Sequence, residues 1–190
     1  ACYGIRDYYG NYYSYNANPT GYGLVANNMV SITGGTGTHY GLYAGYCNGS
    51  EYYHNSISIT GGSTSGRALY QYNTASNTLG QKFVNNIFSN AAGGYATYFG
   101  TPAQVITSDY NNYYCSASNL AYWNGNVGTL AALQAASGKE THSLNIQPPF
   151  ATTHDLTLTN TLLSAKGTYL ASVPDDIFGN LSSPFPTIGA

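Results

Sequence analysis

Short alternations of apolar and polar residues recur along this chain. The sequence reads ANNMVSITGG over 26–35, HNSISITGG over 54–62, NNIFSNAAGG over 85–94 and NNYYCSAS over 111–118. A period of two is that of a β-strand with one face buried. Three of the four segments close on Gly-Gly, which supplies the permissive backbone a turn needs. Aligned on an asparagine anchor, they place Asn28, Asn55, Asn86 and Asn112 at spacings of 27, 31 and 26. A second column aligns independently. In YGLY, RALY and YATY, Tyr43, Tyr70 and Tyr98 fall at spacings of 27 and 28.

A rung of three short strands with turns between them needs about this many residues. Leucine-rich repeats have a similar period, but the Leu-x-x-Leu-x-Leu frame is absent. Tetratricopeptide and ankyrin repeats are longer and helical. The pattern therefore predicts an all-β fold, a right-handed parallel β-helix with rungs of about 27 residues, in which each rung buries its apolar residues on the next. Alternation assigns one face inward: Asn28, Val30, Ile32; Asn55, Ile57, Ile59; Asn86, Phe88; Asn112, Tyr114. The asparagines would form a buried ladder at a bend, each amide bonded to the next rung. The opposite face would look outward as a neutral stripe, with Asn27, His54, Ser56, Ser58, Asn85, Asn111 and Tyr113 as candidate binding residues.

The repeat ends near residue 119, so residues 1–119 are read as rungs. Residues 120–190 are read as last rungs, a short helix over 129–137 and a C-terminal capping tail of the same domain. In GTLAALQAASGK, Thr129 is the N-cap, Leu130 and Leu133 the apolar face and Gly138 the stop. HDLTLTNTLL over 154–163 suggests a further strand, and DDIFGNLSSPFPTIGA a Pro/Gly-bounded terminus.

Composition adds one anomaly. Only 6% of the residues are charged, against about 25% in ordinary domains; 21 tyrosines with many Gly, Asn, Ser and Thr take their place. A net charge of −2 on five cationic residues cannot neutralise a run of phosphates, which argues against nucleic acid. No apolar run is long enough to cross a membrane, and no signal peptide is present. A start at Ala1 without Met suggests a processed product. So little charge invites association. Copies of itself, other surface-protein domains or glycans are the partners this surface suits. Cys2, Cys47 and Cys115 share no metal-ligand spacing.

Candidate chemistry is sparse. A uronate lyase needs a base, with cations or calcium against the carboxylate; only Arg67 and Lys82 fall in the repeats, at different phases. A glycosidase needs two facing carboxylates; Asp7, Glu51 and Asp109 also differ in phase. His54 shares its column with no nucleophile or acid and reads as an exposed polar residue. Asp175–Asp176 reads as turn chemistry, with calcium the alternative; no other metal or cofactor is implied. Tyr43, Tyr70 and Tyr98 read as packing, with a sugar platform as the alternative. The column Met29, Ser56, Ile87, Tyr113 is too irregular for an ice lattice.

The stretches SDYNNYY, YWNG, TLAALQAASGKE, NIQPPF and the closing DDIFGN…PTIGA resemble the ending of secreted right-handed β-helix repeat proteins of Bacteroidota-type bacteria, modules of surface proteins exported by the type IX route. The likeness covers most of the chain. It departs from the family pattern at Leu181, where an Arg is usual, and in lacking acidic residues after the final Ile-Gly-Ala. The resemblance implies the fold and a bacterial extracellular or cell-surface location. It implies no activity, since the family holds both carbohydrate-active enzymes and non-catalytic modules. The expectation is a non-catalytic structural or adhesive module, self-assembling or part of a larger fibre. The alternative is a carbohydrate-binding or lyase-like module.

Overall fold

The computed structural model describes residues 1–10, 21–73 and 79–190. Four successive turns each contribute three strands. The first is β1 (Cys2–Tyr8), β2 (Gly23–Ala26) and β3 (Met29–Ile32); the second is β4 (His39–Gly45), β5 (Ser50–Tyr53) and β6 (Ser56–Ile59). The third is β7 (Arg67–Tyr72), β8 (Gln81–Val84) and β9 (Ile87–Asn90); the fourth is β10 (Tyr95–Phe99), β11 (Val105–Asp109) and β12 (Asn112–Cys115). β13 (Ala121–Trp123), β14 (Asn126–Val127) and the helix α1 (Leu130–Ser137) follow.

Equivalent strands pair in parallel and stack into three sheets. Their orders are β1-β4-β7-β10-β13-β14, β2-β5-β8-β11 and β3-β6-β9-β12, with only β13 and β14 antiparallel. The chain is therefore a β-solenoid. Tyr43, Tyr70, Tyr98 and Tyr122 lie in one register column, as do Val30, Ile57, Phe88 and Tyr113.

The interior is filled by residues of all three sheets. Leu42, Ile57, Leu69, Phe83, Phe88, Phe99 and Tyr113 are fully buried in one cluster, which Leu133 of α1 joins. Tyr52 stacks on Phe83 with centroids 4.9 Å apart, and Phe88 on Tyr113 at 5.9 Å. Such pairs contribute about 0.5–1.5 kcal/mol beyond the area they bury. Gly41 marks a pinch: a Cβ there would lie 2.1 Å from Ile57 Cγ2 and 2.7 Å from the Ala68 carbonyl oxygen. Thr129 caps α1 as expected, its Oγ1 accepting from the Ala132 N–H at 3.2 Å, and Gly138 ends it with φ 65°.

The corner between the two four-stranded sheets is built from two residues per turn. The first of each pair, Asn27, His54, Asn85 and Tyr110, holds a left-handed backbone with φ of 55°, 51°, 60° and 56°. Asparagine tolerates that region better than most residues. The second forms the ladder: Asn28 Nδ2 donates to Asn55 Oδ1 at 2.8 Å, Asn55 Nδ2 to Asn86 Oδ1 at 2.9 Å, and Asn86 Nδ2 to Asn111 Oδ1 at 3.0 Å. The backbone N–H groups of Asn28, Asn55 and Asn86 donate to the same oxygens.

Two expectations are corrected here. The fourth ladder member is Asn111, not Asn112, because β12 aligns Asn112 with Ile87. That shift of one residue turns Tyr113 into the core and takes Tyr114 out of it. It also removes Asn111 and Tyr113 from the outward stripe. The second correction concerns exposure. Of the stripe, His54, Ser56, Ser58 and Asn85 are buried and Asn27 is half-buried. The chain beyond α1 lies across them. Leu144 bridges Asn112 in parallel, and Ser31 Oγ donates to the Thr153 carbonyl. Ala190 N–H donates to Ser56 Oγ at 3.0 Å. Residues 154–163 form no strand of their own; Leu158 makes one isolated bridge to Phe150.

Candidate functional site

With the stripe covered by the chain's own C-terminal strap, an aromatic surface remains open on the outer face of the six-stranded sheet. Tyr3 and Tyr8 come from β1, Tyr40 and Tyr43 from β4, Tyr70 and Tyr72 from β7, Tyr95 and Tyr98 from β10, and Tyr122 from β13. Parallel register brings the rings into ladders. Tyr43 lies 5.0 Å from Tyr70, Tyr70 5.4 Å from Tyr98, and Tyr98 4.2 Å from Tyr122, the last pair within 8° of parallel. Tyr3 stacks on Tyr40 at 5.3 Å. Along the ladders neighbouring rings cover part of one another's faces, while Tyr40 meets Tyr43 and Tyr70 edge-on. Tyr43, Tyr70 and Tyr98 are thus half-exposed packing, and Tyr3, Tyr8 and Tyr72 are exposed.

Two arginines sit in this wall. The Arg67 guanidinium lies over the rings of Tyr98, Tyr70 and Tyr40 at 4.5, 5.2 and 5.6 Å, and Arg6 over Tyr8 and Tyr3 at 4.4 and 5.3 Å. Each such cation–π contact contributes about 0.5–1 kcal/mol at an exposed site. Neither arginine has a carboxylate partner among the described residues. The one acid in these strands, Asp7, turns away from the wall; its Oδ2 accepts from Tyr52 at 2.8 Å and from Ser50 at 3.2 Å. Burial, then repulsion from neighbouring tyrosines, pushes the Tyr43 phenol up to about 12. Burial also raises Tyr70 and Tyr98, against the pull of Arg67. The Tyr43, Tyr70 and Tyr98 hydroxyls therefore stay neutral at physiological pH.

Several other ionisable groups are engaged in structural contacts. Glu51 and Lys82 face each other across β5 and β8 at 2.8 Å, and His142 Nδ1 meets Asp109 Oδ2 at 2.8 Å. Glu140 is buried; its carboxylate accepts from Tyr113 at 2.9 Å and Ser143 at 2.6 Å, and burial raises its pKa against these donors. Asp176 accepts from the backbone N–H groups of Phe178 and Asn180 at 2.8 Å, as expected of a turn. Burial pushes the Cys47 thiol up to about 12. Among the described residues no group of three or more His, Cys, Asp or Glu could hold a metal ion.

Two open clefts lie under the strap, and stripe residues line both. Met29 and His54 meet Phe178 and Leu181 around a space of about 320 Å³; Ser58 and Ser89 meet Phe150 and Gln147 around one of about 290 Å³.

Sequence reasoning placed Tyr43, Tyr70 and Tyr98 in one column but missed Tyr122, Tyr3, Tyr40 and both arginines as parts of one wall. The signal was present: Tyr-Gly-Ile-Arg at 3–6 aligns with Tyr-Gly-Leu-Tyr at 40–43, though 37 residues away because the first turn is longer. No protein-family model matches this chain, and neither a curated protein nor a solved structure matches it. Its function is therefore argued from its own surfaces.

Proposed function

We propose that this chain is a non-catalytic structural or adhesive module of a bacterial cell surface or secreted fibre, acting by contact through its tyrosine wall. On this reading the solenoid winds right-handed, as parallel crossovers overwhelmingly do, and α1 closes its last turn. One observation carries the proposal: a wall of stacked tyrosines, free of acidic side chains, spans five parallel strands. Stacked rings lose little entropy on contact and offer rows of hydroxyls, which suits a broad interface with a second copy or another fibre domain. The non-catalytic reading is supported by the pairing of Glu51 with Lys82 and Asp109 with His142, and by the burial of Glu140.

Sedimentation velocity over a wide concentration range tests it. We expect concentration-dependent association that the Tyr3→Lys/Tyr72→Lys variant weakens, since both rings are exposed. A single monomeric species at every concentration, with no self-contact above about 1,000 Å² in a crystal, would overturn it.

The two arginines, which meet no carboxylate among the described residues, favour a second reading, a binding surface for an acidic glycan. That reading expects retention on a uronate or sulfated polymer that weakens with salt and with Arg6→Gln/Arg67→Gln.

A further inference from the structure

The strap is held at the solenoid corner by a hydrogen-bond arrangement that leaves one protonation state open to His54. Asn85 sets it. Its Oδ1 accepts from the Thr168 N–H at 3.0 Å and its Nδ2 donates to the Thr168 carbonyl at 2.7 Å. This pair of bonds to one residue's backbone fixes which way the amide points, because a flip would set donor against donor and acceptor against acceptor. The second Nδ2 hydrogen then points at His54 Nε2, 2.9 Å away. Nε2 must accept, so it carries no proton. Nδ1 therefore bears the ring hydrogen and donates it to the Gly189 carbonyl at 3.2 Å. The ring is neutral, with one tautomer dictated from both sides.

A proton added to Nε2 would face the Asn85 N–H. The ring cannot turn away without losing Gly189, and Asn85 cannot turn without losing Thr168. Both of those residues belong to the strap. We infer that His54 is an acid-sensitive latch: its protonation releases the C-terminal strap from the corner and uncovers the outer face of β6 and β9. Beneath lie Ser56 and Ile87, the latter packed on Leu163 and Ile188 of the strap. Asp176 and the chain end at Ala190 line the same cleft. Neither bonds to the ring, and Asp176 is held by its own turn. From the solenoid, Asn27 and Asn85 flank the ring in its column, and neither carries charge.

Burial lowers the His54 pKa below its ordinary 6.5, against the pull of the Gly189 carbonyl. The released state binds the proton more readily, so the latch holds above about pH 6.5 and loosens as pH falls below it.

Hydrogen exchange on the intact chain tests this, read at the Thr168, Ile188 and Gly189 amides against those of Ile57 and Phe88 in the core. We expect the strap amides to lose protection at least tenfold between neutral pH and pH 5, after correction for intrinsic rates, while the core amides keep theirs. The variant His54→Asn has a residue that suits the left-handed corner, as Asn27 and Asn85 do, and its amide nitrogen can stand in for Nδ1 and donate to Gly189 without titrating. It should hold the strap at both pH values. Equal acid release in the variant would overturn the inference. So would strap and core losing protection together. Should the variant fold poorly, the titration of the His54 ring in the wild type decides: a midpoint at or above 6.5 refutes the latch.

Discussion

At the scale of single residues, the corner asparagines carry more of the fold than their number suggests. Asn86 is fully buried, and its side chain makes bonds in both directions along the stack. Its Oδ1 receives the N–H and Nδ2 of Asn55, while its own Nδ2 reaches the Tyr52 and Val84 carbonyls and Asn111. Asn86→Ala would leave at least two buried partners unpaired, at about 1–3 kcal/mol each. We expect a loss of about 3 kcal/mol or more in a urea titration. A loss under 1 kcal/mol would mean that water replaces the amide. Among the four corner residues Tyr110 suits its place least, since it holds the left-handed backbone without the tolerance of asparagine or histidine. Its ring stacks on His142 with centroids 4.5 Å apart, which compensates part of that strain.

At the scale of elements, rungs and strap were unequally legible in the sequence. Rungs repeat, so their strands, their period and the inward face of the first three turns could be read from local alternation. The fourth could not: Asn-Asn opens it as it opens the first and third, where the second asparagine joins the ladder, and only pairing with β9 shows that here the first one does. The strap repeats nothing. Bonds such as Asn85 with Thr168 and Asn27 with Asp175 join residues 83 and 148 positions apart. Nothing in HNSISITGG reveals that a distant segment covers it, so His54, Ser56 and Ser58 read as exposed. The strap's seating depends on Gly189, where φ is 99° and a Cβ would fall 2.6 Å from both Ile87 Cδ1 and Ser56 Oγ. Gly189→Ala should therefore unseat the strap at neutral pH while the rungs stay folded. Limited proteolysis would show cuts after residue 165 and an intact solenoid fragment; a resistant strap would refute this seating.

At the scale of the whole molecule, charge is scarce because most surfaces have been given another covering. One sheet is faced by tyrosines and another by the strap; Glu51 and Lys82 are paired, Glu140 is buried, and Arg6 and Arg67 are set among aromatic rings. The stack is also closed differently at its two ends. At the later end the backbone N–H of Asn111 donates to Ser143 Oγ at 2.9 Å, and its amide meets Glu140. At the earlier end no donor among the described residues reaches Asn28 Oδ1.

That difference gives the molecule a direction. Every ladder bond runs from an earlier turn to a later one, donor before acceptor, so the row has a leading and a trailing terminus. The trailing one is sealed, and the leading one still offers an oxygen in the position where a preceding asparagine would donate. Lengthening is thus a one-way operation. A copy of the second turn, residues 38–64, joined ahead of Ala1 should raise the thermal midpoint, and the same copy with the counterpart of Asn55 changed to alanine should not. The copy joined after Ala190 should leave the midpoint unchanged. Equal gains at both ends would show that the ladder has no sense.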